Sequence, residues 1–121
     1  MQESVSPVDF NGLWEISDGK KSTLIDILIS IEKGLNSYPE LISNAYKNND
    51  VKELREVSHK TKSCTNYLFH TELTDLLEEI EDDALNNQVN ESTGIKVERV
   101  CLIMEVIYPD IASLLKDLQS L

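Results

Sequence analysis

The chain has 121 residues, 40% of them hydrophobic, and carries 22 acidic against 11 basic side chains, a net charge of −11. A chain of this length and composition is typical of one globular domain with a single hydrophobic core. Because its charge would repel a nucleic-acid backbone, DNA and RNA are excluded as main partners.

Two helices are predicted at the start of the chain. Ser6 is a good N-cap, and Pro7 suits the first position of a short amphipathic helix that would run to about Ile16. After a break at residues 17–20, apolar residues recur at helical spacing from about Lys20 to Lys47. The apolar stripe of this second helix consists of Leu24, Ile27, Leu28, Ile31, Leu35, Leu41, Ile42 and Tyr46.

A third helix is predicted from Asp50, a ready N-cap after the turn residues Asn48 and Asn49, to about Phe69. A fourth, from about Thr71 to Asn86, has one apolar and one acidic side. The apolar residues are Leu73, Leu76, Leu77, Ile80 and Leu85. The acidic residues are Glu72, Asp75, Glu78, Glu79, Asp82 and Asp83. We interpret this acidic side as a solvated face.

The last helix is predicted to start near Ser92 or Thr93, after a polar loop, and to run almost to the C-terminus. Its apolar stripe consists of Val100, Ile103, Met104, Ile107, Ile111, Leu114, Leu118 and Leu121. Two helices contain an interrupting proline. Pro39 predicts either a kinked second helix or two shorter ones meeting there, and Pro109 predicts a kink in the last helix.

These elements predict an all-α protein. Four substantial amphipathic helices joined by short loops form an antiparallel four-helix bundle, with the short extra N-terminal helix as a lid. We find no internal repeat and no boundary, so a single domain is expected over residues 1–121, with its core at about 8–118.

The location of the protein is predicted from what the sequence lacks. The start, MQESVSPVDF, has neither the basic nor the apolar region of a signal peptide, and no run of apolar residues is long enough to span a membrane. Cys64 and Cys101 each fall inside a predicted helix, where we expect them to be reduced, buried, small apolar side chains. A cytoplasmic protein is therefore expected.

The third helix places a histidine on its outer face. Seven residues fall within an arc of roughly 120° that we assign to the core. They are Leu54, Val57, Ser58, Thr61, Cys64, Thr65 and Leu68. His59 lies about 170° from the centre of that arc, so its side chain is expected to be exposed to solvent.

The neighbours of His59 on that face are basic or small and polar. Arg55 lies one turn before it, and Lys62, Ser63 and Asn66 follow at three, four and seven residues. Five of the eleven basic residues of the chain lie in or beside this helix. They are Lys47, Lys52, Arg55, Lys60 and Lys62. Such cations favour a neutral, nucleophilic imidazole and would stabilise an anion placed on it.

Two other interpretations of His59 are less well supported. A metal site is not expected, because His70 lies about three turns away on a similar face and Cys64 points toward the core. General-base catalysis needs a nearby pocket, and a convex helix surface offers none. The four glycines are scattered singly, so no phosphate-binding loop for ATP is expected.

The segment His59-Lys60-Thr61-Lys62-Ser63 resembles the H-x-x-K-G/S core of histidine-containing phosphotransfer (HPt) domains, the intermediate carriers of bacterial, fungal and plant phosphorelays. The approach NNDVKELREVSHKTKS and the following helix with LLEEIEDDA are also similar to that family, and the likeness covers residues 8 to about 118. The chain departs from the family pattern at Ser63, which is often glycine, at Thr61, usually leucine, and at Phe69, in the vicinity of a common glycine.

The resemblance implies a role for each matching residue. His59 is the phosphorylated nucleophile, Lys62 stabilises the phosphoryl oxygens, and Ser63 provides clearance and a hydrogen bond. We expect the partner-binding face to consist of Lys52, Arg55, Lys60 and Asn66, because these residues surround the histidine.

The resemblance also implies the partners. The chain would take its phosphoryl group from an aspartyl phosphate on a response-regulator receiver domain, within a pathway fed by a sensor or hybrid histidine kinase, and relay it to another regulator. It would bind no cofactor itself, since Mg²⁺ is supplied by the receiver. We expect a monomer that is a phosphoryl carrier without a kinase site. The alternative is a non-phosphorylated helical adaptor that docks on receiver domains with the same face.

Overall fold

A computed structural model describes residues 4–120 of the chain. The protein is all-helical, with 82% helix and no strand in the described part. Its helices are α1 (Phe10–Ile16), α2 (Lys21–Lys47), α3 (Val51–Thr65), α4 (Thr71–Leu85) and α5 (Glu91–Gln119), with a 3-10 turn at Asn66–Leu68. The four long helices pack together and α1 packs on the 3-10 turn at one end, which confirms the predicted helical bundle with a short N-terminal helix.

Hydrogen bonds between α2 and α5 show that these helices run in opposite directions. Tyr46, at the end of α2, donates to the carbonyl of Asn90, the N-cap of α5, over 3.1 Å. Asn36, a few turns earlier in α2, donates to the Tyr108 hydroxyl in the second half of α5 over 3.3 Å. The helices α2, α3 and α4 follow one another through short links, so each lies antiparallel to the next.

The core is formed by apolar residues from every helix. Its largest fully buried side chains are Leu13, Leu28, Ile31, Ile42, Leu54, Leu68, Leu73, Leu77, Ile80, Ile103, Met104 and Ile107. Two residues of the predicted stripes, Leu41 and Leu85, are instead exposed. A third, Leu121, lies outside the described residues. Within residues 4–120, no helix combines the length and apolar character that crossing a membrane requires.

The N-terminal segment differs from its prediction. The first helix begins at Phe10, because the Asp9 carboxylate accepts hydrogen bonds from the backbone of residues 11 and 12. Residues 4–9 are not helical, so the predicted start at Ser6 and Pro7 is wrong. This segment is held on the bundle by its carbonyl groups, and the Ser6 carbonyl accepts a hydrogen bond from His70. Ser6 therefore makes a tertiary contact with His70 and does not cap a helix.

The two internal prolines do not divide their helices. Pro39 lies within the continuous helix α2. The alternative of two shorter helices that meet at Pro39 is therefore ruled out. Pro109 likewise lies within the continuous α5. The helix α5 begins at Glu91, slightly before the predicted start, because Asn90 and Thr93 form a reciprocal capping box.

The corner between α3 and α4 was mispredicted. The α-helix ends at Thr65 rather than near Phe69, and the 3-10 turn leads to Phe69, whose φ of 52° is left-handed. A bulky residue seldom takes this conformation, which glycine adopts without cost. The Phe69 ring lies against Gly12 of α1 and leaves no room there for a Cβ. The corner thus also fixes the position of α1.

His70 is consequently a buried residue and not a member of the exposed face of α3. It is only 3% exposed, its Nε2–H donates to the Ser6 carbonyl over 2.9 Å, and its Nδ1 accepts the N–H of Leu73 over 3.2 Å. The second contact makes His70 the N-cap of α4. Because the chain turns before His70, the expected similarity of its face to that of His59 is wrong.

The contrast between the two histidines gives a test of the fold. We expect His70→Ala to lower the free energy of unfolding by about 1–3 kcal/mol, because it removes an N-cap and leaves buried polar groups without partners. The matched control His59→Ala, on an exposed side chain, should change it by no more than about 0.5 kcal/mol. Urea unfolding followed by circular dichroism measures both. Equal losses for the two variants would contradict the assigned role of His70.

Candidate functional site

The helix α3 has the buried and exposed faces that its sequence predicts. Six of the seven residues assigned to the core arc are buried, and Cys64 alone among them is half-buried. His59 projects from the opposite side with 60% of its side chain exposed. The predicted exposure of His59 and the predicted burial of Leu54, Thr61 and Leu68 are confirmed.

The imidazole of His59 is held from one side by a carboxylate of α4. Its Nδ1 lies 3.1 Å from Oε2 of Glu81. Because a carboxylate accepts hydrogen bonds, the hydrogen of this contact is on Nδ1. Within residues 4–120, Nε2 forms no hydrogen bond, so in the neutral ring its lone pair faces solvent. Glu81 therefore orients the ring and selects the nitrogen that is free to react.

The same carboxylate also contacts the neighbouring lysine. Lys62 Nζ lies 3.3 Å from Oε1 of Glu81 and 3.7 Å from Oε1 of Glu78. The first contact is an ion pair without hydrogen-bond geometry, so Oε1 of Glu81, a buried atom, has no hydrogen-bond partner in the described part of the chain. Glu81 thus links His59 and Lys62, one through each oxygen.

The interpretation of the acidic side of α4 as a solvated face is wrong for part of its length. Asp83 is half-buried and pairs with Lys96 of α5 over 3.0 Å, whereas Glu78 pairs with Lys62 while remaining exposed. Glu72 accepts two hydrogen bonds from Arg99 of α5, at 2.7 and 3.0 Å, and these hydrogen bonds lower the pKa of the Glu72 carboxyl. The side therefore stabilises the packing of α4 against its neighbours and supplies the surroundings of Lys62.

Glu81 contacts both His59 and Lys62, and the sequence interpretation missed it. It lies 22 positions after His59, and no motif marks it. The signal that could have found it is the short connection between α3 and α4, which makes the two helices antiparallel. In an antiparallel pair, later residues of α4 lie opposite earlier residues of α3. Lys62 with Glu78 and His59 with Glu81 follow this register.

The remaining predicted site residues are only partly brought together. Ser63, Lys52, Arg55 and Lys60 are exposed and lie around His59, as predicted. Asn66 is exposed but lies in the 3-10 turn, where it lines a separate depression with Phe69, Thr71, Thr74 and Asp75. Asn66 therefore lies apart from Lys52, Arg55 and Lys60, which line a depression together with His59.

The surface beside His59 is concave, contrary to expectation. A groove of about 530 Å³ runs between α2 and α3, and a second of about 480 Å³ lies on the α4 side. His59 and Lys60 line both. The first is lined by Asp26, Ile27, Ser30, Ile31, Tyr38, His59, Lys60, Ser63, Cys64 and Tyr67. The second is lined by Lys52, Arg55, Glu56, His59, Lys60 and Glu81.

The shape of the surface is therefore compatible with general-base catalysis. What counts against it is the hydrogen bonding of the imidazole. Among residues 4–120, His59 is hydrogen-bonded to Glu81 and to no hydroxyl or thiol of the grooves. The pairing of base and nucleophile that this chemistry uses is thus not formed.

The two cysteines are free and half-buried. Cys64 lines the groove beside His59, whereas it was expected to point to the core. Its thiol donates a long, 3.8 Å hydrogen bond to the Ser30 carbonyl, and burial raises the pKa of Cys64. Burial also raises the pKa of Cys101. A raised pKa keeps a thiol protonated and makes it a poor nucleophile or metal ligand.

The described residues contain no cluster of three histidine, cysteine, aspartate or glutamate side chains that could hold a metal ion. No protein-family model, no curated protein and no solved structure matches the chain significantly.

Proposed function

We propose that this chain is a histidine phosphotransfer protein that carries a phosphoryl group on Nε2 of His59. The observation that carries the proposal is the geometry of that imidazole: 60% of the side chain is exposed, Nδ1 lies 3.1 Å from a carboxylate, and Nε2 forms no hydrogen bond in the described part of the chain. In the transfer step Nε2 forms a bond to phosphorus while the bond from phosphorus to the aspartyl oxygen of a receiver domain breaks. The electron pair of that bond leaves with the receiver's carboxylate.

Glu81 has a clear part in such a step. The neutral imidazole attacks through Nε2, and the ring becomes positively charged as the bond to phosphorus forms. The carboxylate at Nδ1 stabilises that charge and keeps the ring in one orientation. Phosphoryl transfer has a loose, in-line transition state, so positioning and charge neutralisation supply most of the rate.

Cations beside His59 would neutralise the phosphoryl group. Lys62 lies less than one turn after His59, with 24% of its side chain exposed, and Arg55 lies about one turn before it. Ser63 leaves space beside the ring, because its side chain is small. We assign Lys62 to the phosphoryl oxygens and Ser63 to clearance and a hydrogen bond.

The partner proposed for this surface is a receiver domain. Its acidic, Mg²⁺-containing pocket is complementary to the cations Lys52, Arg55 and Lys60, and such complementarity speeds encounter and sets orientation. The grooves beside His59 give the receiver a concave surface to pack against. Mg²⁺ would come with the receiver, and a sensor or hybrid histidine kinase would be the source of the phosphoryl group.

The corner after α3 supports the resemblance to HPt domains. Phe69 is left-handed, with φ of 52°, in the vicinity of a position at which the family commonly has glycine. Phe69 thus differs from the family pattern in its side chain, but its backbone has a conformation that glycine favours.

One observation favours the alternative of a non-phosphorylated adaptor. Lys62, the cation assigned to the phosphoryl oxygens, is paired with two carboxylates of α4. An adaptor would use the same grooves and the same exposed cations to bind a receiver, without chemistry at His59.

The proposal is tested by transfer from a labelled receiver. Wild-type protein incubated with a phosphorylated receiver domain should gain acid-labile, base-stable label. We expect His59→Gln to abolish uptake while remaining folded, because the side chain faces solvent. His70 is retained in this variant, so loss of label assigns the site. Lys62→Ala should slow transfer or shorten the lifetime of the label without abolishing either.

Two outcomes would contradict the assignment. Uptake by His59→Gln would move the site elsewhere. If wild-type protein binds receivers with micromolar affinity but gains no label from any of them, the adaptor becomes the better function.

The role of Glu81 has its own test. We expect Glu81→Gln to lower the initial rate of uptake about tenfold or more, because a hydrogen bond to a charged group is replaced by a neutral one. The control is Asp82→Asn, which removes the same charge from an adjacent, exposed position of α4 and should transfer at the wild-type rate. Receiver affinity measured in parallel separates chemistry from binding. Equal rates for the two variants would show that Glu81 has no part in transfer.

A further inference from the structure

The charge of Lys62 is shared between two carboxylates of unequal exposure. Glu81 is 20% exposed and also holds His59, whereas Glu78 is 56% exposed and its ion pair in the described residues is with Lys62. The two glutamates are three residues apart on α4, so they lie on one flank of the helix. Glu78 thus contacts Lys62 and, in the described residues, forms no hydrogen bond or ion pair with the imidazole of His59.

A phosphoryl group on Nε2 of His59 would compete for the same cation. It carries nearly two negative charges, and Lys62 is the lysine that α3 places nearest in helical register. The Lys62 ammonium lies 3.7 Å from Oε1 of Glu78, and an ammonium held on the α4 side by that carboxylate is less available to phosphoryl oxygens on Nε2 of His59. Glu78 and the phosphoryl group would therefore compete for the ammonium group of Lys62.

We infer that Glu78 sets how long His59 stays phosphorylated, by restraining Lys62. The inference rests on the proposed phosphotransfer function. Loss of the group by hydrolysis forms a bond between water oxygen and phosphorus and breaks the bond between phosphorus and Nε2. The electron pair stays on Nε2, the ring returns to its neutral form with its hydrogen on Nδ1, and the protons of the water leave with inorganic phosphate. Lys62 bound to the phosphoryl oxygens stabilises the intact phosphohistidine, and Glu78 opposes that contact.

The removal of one carboxylate tests the inference. In Glu78→Gln we expect the half-life of the labelled histidine, measured after removal of the receiver, to increase about two- to fivefold, the range expected for one exposed ion pair. The matched control is Glu79→Gln. Glu79 is 54% exposed, lies on the same helix and pairs with Lys96 over 3.7 Å, so its loss changes the net charge equally without touching Lys62. The labelled histidine of Glu79→Gln should have the same half-life as that of the wild type.

A second pair of variants separates competition from direct repulsion. In a Lys62→Ala background, Glu78→Gln should no longer lengthen the half-life, because no lysine remains to be released. If the increase persists there, Glu78 acts on the phosphoryl group directly and the inference is wrong. If Glu78→Gln and Glu79→Gln decay at the wild-type rate, it is also wrong while phosphotransfer stands. If no variant and no wild-type protein takes up label, the proposed function fails and the inference fails with it.

Discussion

The pairing of α3 with α4 is the constraint on which the site depends. The two helices run antiparallel through a five-residue corner, and this register sets Glu81 opposite His59 and Glu78 opposite Lys62. A shift of one residue in α4 would rotate its carboxylates by about 100° around the helix axis. The contacts of Glu81 with His59 and of Glu78 with Lys62 would then be broken. The chemistry proposed for the exposed face of α3 would therefore depend on two helices, although every residue of the motif belongs to one.

The corner itself owes its geometry to residues far from the histidine. Phe69 accepts a left-handed backbone, His70 caps the next helix, and the N-terminal segment supplies the carbonyl that orients the His70 ring. Arg99 of α5 adds a hydrogen bond to the Ser4 carbonyl while it holds Glu72. One polar network thus joins the first residues of the described chain, the start of α4 and the first third of α5. This network fixes where α4 begins and hence its register.

The sequence allowed the faces of single helices to be predicted, because the helical period alone decides them. The burial of Leu54 and Leu68 and the exposure of His59 follow from that period. It did not allow Glu81 to be found, since the contact depends on how two helices meet. The misplacement of His70 has another cause: a left-handed Phe69 gives no local signal, whereas glycine at that position would have marked the end of the helix.

The position of Trp14 makes one end of the bundle observable by fluorescence. It is the single tryptophan of the chain, lies on α1 and is 47% exposed. The helix α1 rests on the turn that follows α3, so the indole reports on the end of the bundle toward which α3 points, about two helical turns beyond His59. Emission from a half-exposed indole shifts when its solvent contact changes. A partner that covers α1 as well as the grooves beside His59 would alter that emission without any label, and a partner confined to the grooves would leave it unchanged.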